Sequence, residues 1–95
     1  MKIAVATDND LTTTGGRVIA LNASMRDHGK RLALNGEYAT CGNCNGSWPI
    51  EGTGKEMKNR GTWVVIDDDR VLCPCGKNRV IASADAGCFI NRATD

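Results

Sequence analysis

Ninety-five residues with a net charge of +1 read as one small domain, in which acids and bases are interspersed without the one-signed patch that attracts nucleic acid or a membrane surface. Four aromatic side chains, Tyr38, Trp48, Trp63 and Phe89, are too few for a base-stacking platform. No stretch approaches the ~20 apolar residues of a membrane-spanning helix, and residues 1–7 lack the apolar run of a signal peptide.

Residues 3–7 form a short apolar run, Asp8-Asn9-Asp10 a turn, and residues 11–14 a second extended piece. Gly15-Gly16 follows, then the strand-like Arg17-Val18-Ile19-Ala20. The same order returns twice. Residues 29–34 lead through Asn35-Gly36-Glu37 to Tyr38-Ala39-Thr40-Cys41, and residues 62–66 lead through Asp67-Asp68-Asp69 to Arg70-Val71-Leu72-Cys73. A loop and a further strand come after each, residues 48–52 in one and Arg79-Val80-Ile81-Ala82 in the other, so Arg-Val-Ile-Ala occurs at both 17 and 79. Residues 22–41 lie over residues 54–73 without a gap, matching Met25 with Met57 and Gly29 with Gly61.

Short β-rich segments, turns of Gly, Asn and Asp, and almost no helical periodicity predict an all-β fold. Residues 87–90 supply one more apolar strand. If the two ends of the chain complete one unit between them, three similar units close around an axis. Equivalent turns then converge at one end, bringing together Thr14, Cys41 and Cys73, with Cys44 and Cys75 in the following loops.

The same thiols carry the clearest chemical motif. Two thiolates spaced as in Cys41-Gly42-Asn43-Cys44 close on one ion, because Gly and Asn tolerate the tight turn. In Cys73-Pro74-Cys75, residues i and i+2 of an extended segment project to one side, and Pro74 stiffens it. Together they supply four soft ligands for a tetrahedral structural zinc site, one ion per chain. The bland alternative is a pair of buried thiols beside a chance pair. A redox CxxC uses a helix N-terminus to acidify its thiol, and residues 45–49 are a poor helix start. A Cys73–Cys75 disulfide conflicts with ordinary bridge geometry. Five cysteines, an odd number, argue for a reducing compartment and metal rather than disulfides.

Residues 29–41, Gly-Lys-Arg-Leu-Ala-Leu-Asn-Gly-Glu-Tyr-Ala-Thr-Cys, resemble without a gap the unit that names the PAAR-repeat proteins, Gly-x-Pro-Ala-Ala-Arg-x-Gly-Asp-x-x-x-Cys. The opening Asp10-Leu-Thr-Thr-Thr-Gly-Gly16 is similar to that family's Gly-Asp-x-Thr-x-His-Gly-Gly segment. The resemblance runs from about Ile3 to Ile90. It implies a single PAAR-repeat domain over 1–95, a cone of about nine short strands with zinc near the apex. It also implies a non-enzymatic role: capping and sharpening the trimeric valine-glycine-repeat spike of a type VI secretion system. One chain would cap each trimer, helping to puncture the target envelope and deliver effectors. Assembly would be cytoplasmic, from a chain that is a monomer alone, with export into the target cell or medium and transient contact with its membrane. The naming tetrapeptide is degenerate, Arg31-Leu32-Ala33-Leu34 in one unit and Trp63-Val64-Val65-Ile66 in the other. Thr14 stands where a ligand histidine often stands, Cys44 occupies the other common histidine position, and Cys75 takes over the role lost at Thr14.

Other residues invite weaker readings. His28, in Arg26-Asp27-His28-Gly29, is a turn residue whose repeat counterpart is Arg60, and Cys88 in its apolar run is a packing residue; either is the substitute should one of the four thiols not be a ligand. Asp67-Asp68-Asp69 matches Asn35-Gly36-Glu37 as a hairpin turn rather than a cation site. Trp48 follows the CxxC loop and is placed either to shield the thiolates from water or to lie on the outer surface of the tip. No nucleophile–base pair or carboxylate dyad can be assembled. The second reading of the chain is a zinc-ribbon-like module binding nucleic acid or protein.

Overall fold

A computed structural model of the chain describes residues 1–82 and 85–92. Among these there is no helix, and twelve short strands pair antiparallel throughout. They are β1 (Lys2–Ala4), β2 (Leu11–Thr12), β3 (Val18–Ile19), β4 (Arg26–Asp27), β5 (Lys30–Arg31), β6 (Tyr38–Thr40), β7 (Ser47–Glu51), β8 (Gly54–Asn59), β9 (Thr62–Val64), β10 (Arg70–Val71), β11 (Val80–Ile81) and β12 (Phe89–Asn91). The all-β expectation holds, with twelve strands in place of about nine. The additions come largely from polar pieces. Gly54-Lys-Glu-Met-Lys-Asn59 carries little apolar signal, yet β8 pairs with β9 through a bulge between Gly54 and Lys58.

At the centre, three segments meet in a triangle. Isolated bridges join Val5 to Ile66, Thr7 to Leu32 and Leu34 to Val64. Their middle residues exchange backbone hydrogen bonds in a closed cycle: Ala6 N donates to Val65 O (2.9 Å), Val65 N to Ala33 O (2.8 Å) and Ala33 N to Ala6 O (2.9 Å). Side chains alternate along an extended segment. Ala6, Ala33 and Val65 therefore enter one buried cluster, and their neighbours Val5, Leu32, Leu34, Val64 and Ile66 enter another.

The first cluster is enclosed by six strands. Ladders join β11 to β2, β3 to β6, β6 to β7 and β7 to β10. Single bridges, Leu11–Arg17 and Arg70–Arg79, complete the circuit between β2 and β3 and between β10 and β11. Closure leaves this ring no free edge for another chain to extend. Val18, Ile50 and Val80, at equivalent places in the ring, are 1–2% exposed and fill it.

Three hairpins cover the second cluster. In β4–β5 and β8–β9 the two loop residues both take positive φ, His28 (52°) with Gly29 (78°) and Arg60 (52°) with Gly61 (81°). This is the requirement of the hairpin turn that matches strand twist. The third hairpin has no turn, because β1 and β12 are the two ends of the described chain, paired Lys2–Asn91, Ile3–Ile90 and Ala4–Phe89. The N- and C-terminal pieces thus complete one unit between them, as the repeat pattern requires.

Candidate metal centre

The turn after each central segment is built alike. Asn9 (φ 70°), Gly36 (88°) and Asp68 (74°) occupy equivalent left-handed positions, which Asn, Asp and Gly tolerate best. The next residue in each, Asp10, Glu37 or Asp69, is 5% exposed. Its carboxylate accepts from the amide three residues back, that of Thr7, Leu34 or Ile66, at 2.8 Å in every case. The side chain two residues before each carboxylate clamps the following strand: Asp8 Oδ1 accepts from Ala20 N, Asn35 Oδ1 from Gly52 N and Asp67 Oδ1 from Ala82 N, at 2.8–2.9 Å. The acidic turn at 67–69 is structural, as its match with 35–37 indicated. These repeated clamps aim the outgoing pieces the same way, and four residues beyond the carboxylates they arrive at Thr14, Cys41 and Cys73.

There the Sγ atoms of Cys41, Cys44, Cys73 and Cys75 all lie within 4.8 Å of one another. Cys75 Sγ is 3.6 Å from Cys41 Sγ and 3.5 Å from Cys73 Sγ. All four are free thiols. Bonds of about 2.3 Å at tetrahedral angles put sulfurs ~3.8 Å apart, so the grouping needs only small adjustments to close on one ion. Cys41 and Cys73 are buried; Cys44 and Cys75 are half-buried on the loops. A Cβ at Gly42 would collide with the carbonyl oxygen of Thr14, so the first residue after Cys41 must be glycine for the loop to lie against its neighbour.

The surroundings favour sulfur that has lost its proton at one corner and resist it at others. Asn43 N donates to Cys41 Sγ at 3.4 Å, and Thr14 Oγ1 lies 3.4 Å from the same sulfur. The Thr14 hydroxyl, above all, lowers the Cys41 pKa to about 6, against burial, with Asn43 N and the neighbouring thiols assisting. Burial, and then the neighbouring sulfurs, push Cys73 up to about 12. Cys44 is also pushed up by burial, although the Cys75 amide works against this. Four thiols so close cannot all ionise without a cation among them. A metal ion would supply that charge, and its uptake would displace the protons.

Trp48 is half-buried against the same cluster as Cys44 and Cys75. Its Nε1 is buried and has no hydrogen-bond partner among the described residues. The other two candidate ligands lie elsewhere. His28 has a side chain 66% exposed and stands 3.5 Å from Asp27 Oδ1 in the β4–β5 turn. Cys88 packs in the second cluster, with its Sγ 3.8 Å from Met57 Sδ. Asn78, 1% exposed beside Thr14, escaped the sequence reading. Its partners are 38 and 64 residues away, and only its place just before the repeated Arg-Val-Ile-Ala could have marked it.

No protein-family model, curated protein or solved structure matches the chain.

Proposed function

We propose that this chain is the zinc-stapled tip of a contractile injection spike, a structural and non-enzymatic protein of the PAAR-repeat kind. The observation that carries the reading is the cycle of backbone bonds through Ala6, Val65 and Ala33, a pseudo-threefold axis within one polypeptide. Such a chain offers three similar faces, so a single copy can sit on the axis of a true trimer.

On this reading zinc occupies the four thiols and pins the loops at one end, where the fold narrows to a cone. Structural zinc contributes on the order of 10 kcal/mol to folding in small domains, and a tip that transmits axial force has use for that rigidity. The opposite end docks on the trimeric valine-glycine-repeat spike. The protein assembles there in the cytoplasm and leaves with the spike and its effectors.

Two measurements test the reading. Elemental analysis of protein purified without a metal-affinity tag should find one zinc per chain. Mixing with a trimeric spike and weighing the complex by light scattering should give one chain per three spike subunits. A 3:3 complex, or tight and salt-sensitive nucleic-acid binding without spike binding, would overturn it in favour of a zinc-ribbon-like module.

A further inference from the structure

The third corner of the pseudo-threefold is Thr14, and it is not idle. Its hydroxyl accepts from Gly42 N at 3.0 Å and lies 2.8 Å from Asn78 Oδ1 and 3.4 Å from Cys41 Sγ. Asn78 is held in turn, donating from Nδ2 to Thr40 O at 3.1 Å and accepting from Thr14 N at 3.4 Å. The single hydroxyl proton therefore faces two acceptors, a neutral amide oxygen and a sulfur. Hydrogen bonds to an ionised acceptor are about twice as strong as neutral ones. When Cys41 is a thiolate, the proton is drawn towards sulfur, and Asn78 Oδ1 keeps the Thr14 amide as a donor. Because Gly42 N donates to the same hydroxyl oxygen, the orientation of the hydroxyl is tied to the first residue of the CxxC loop.

From this arrangement we infer that Thr14 is a positioning residue for the metal centre: its hydroxyl, steadied by Asn78, donates to the metal-bound Cys41 sulfur and sets both the affinity of the site and the donor strength of that sulfur. The inference rests on metal binding by the four thiols, as proposed above. It explains why a position whose two counterparts are cysteines need not be a ligand. With Cys75 as the fourth sulfur, a ligand at Thr14 would be a fifth, whereas a hydroxyl stabilises negative charge on a sulfur already committed. Outer partners of this kind change metal affinity by roughly 10–100-fold.

The test uses cobalt(II) as an optical probe. Wild-type protein titrated with cobalt should show the intense sulfur-to-metal charge-transfer absorption of a tetrahedral thiolate site. Its absence would overturn the metal assignment and, with it, the inference. Given that absorption, Thr14→Val keeps the shape and removes the hydroxyl. Affinity measured by competition with a chelator should fall roughly 10–100-fold, and the charge-transfer band should move to lower energy, because sulfur relieved of a hydrogen bond is easier to oxidise. Thr14→Ser should restore the band position and most of the affinity. A fall in affinity with the band unmoved would mark a purely structural role for Thr14 and overturn the inference. Wild-type band energy and affinity in Thr14→Val would overturn the inference. Thr14→Ala, read the same way, replaces Thr14→Val should the latter not fold.

Discussion

Two regions of this molecule are built on one threefold plan and treat it differently. In the acidic turns the plan is kept: Asp10, Glu37 and Asp69 each accept the amide three residues back at 2.8 Å. At the thiol end it is abandoned, since the equivalent corners are Thr14, Cys41 and Cys73, and the two remaining sulfurs come from loops of different length. The turns satisfy backbone amides, which are the same in every unit, so one solution serves three times. Four sulfurs cannot be shared evenly among three units. The side chains at the axis therefore break the symmetry that the backbone maintains.

That contrast can be broken most severely at the thiols. Cys73→Ser should abolish stoichiometric metal binding and remove metal-linked stability on the order of 10 kcal/mol, read as a large fall in thermal midpoint that a chelator reproduces in the wild type. Cys88→Ser is the matching control. It also removes a thiol, but from the second cluster beside Met57, and should cost about 1–2 kcal/mol with one metal still bound. Equal metal loss in both variants would dissolve the distinction between the two regions.

A smaller effect is expected in the turns. The Glu37 carboxylate accepts from Leu21 N, Asn22 N and Leu34 N at 2.7–2.9 Å. Glu37→Ala leaves three amides without their acceptor, and urea unfolding of the metal-loaded protein should register a loss of about 3–5 kcal/mol. Metal affinity of the folded variant should match the wild type, because the sulfurs draw on other contacts. A loss of affinity comparable to that of a ligand substitution would mean that turns and metal end are one cooperative unit.

The smallest effect lies on the surface, where the hairpins are tied by unlike contacts. Arg92 Nε donates to Glu56 Oε2 at 2.7 Å and Arg92 Nη2 to Glu56 Oε1 at 2.8 Å. The Arg92 side chain holds Glu56 down to about 2 from 4.5. A depressed carboxyl contributes stability that is fully present above its unfolded value and is lost as pH falls through its folded value. The window is therefore from about 4.5 down to about 2. Glu56→Gln should lower stability slightly at neutral pH and flatten the acid dependence within that window, measured at fixed ionic strength. A wild-type carbon-13 shift for the Glu56 carboxyl that titrates near 4.5 would contradict the pairing.

The contrast also separates what was legible in the residues from what was not. Asn35-Gly36-Glu37 and Asp67-Asp68-Asp69 announce their turns, because left-handed backbone and amide-accepting side chains restrict the residue types allowed. The CxxC and CxC spacings announce the sulfur pairs for a similar local reason. The repeated order even indicates that both chain ends complete one unit, as β1 and β12 do.

Other features have no local signature. The cycle through Ala6, Val65 and Ala33 uses only backbone atoms, so nothing in those side chains advertises it. β8 is polar and half-exposed, and pairing with β9, not apolar periodicity, makes it a strand. Thr14 meets Asn78 across 64 residues of sequence and Cys41 across 27. By itself the sequence determined the β class, the turns and which sulfurs could pair along the chain, which depend on neighbours a few residues apart, and its repeated order pointed to the meeting of the two sulfur pairs that the structure shows. Only the tertiary structure decided that the six-strand ring closes and that a threonine hydroxyl and a buried asparagine attend one thiol, because those contacts arise when distant segments are packed around a common axis.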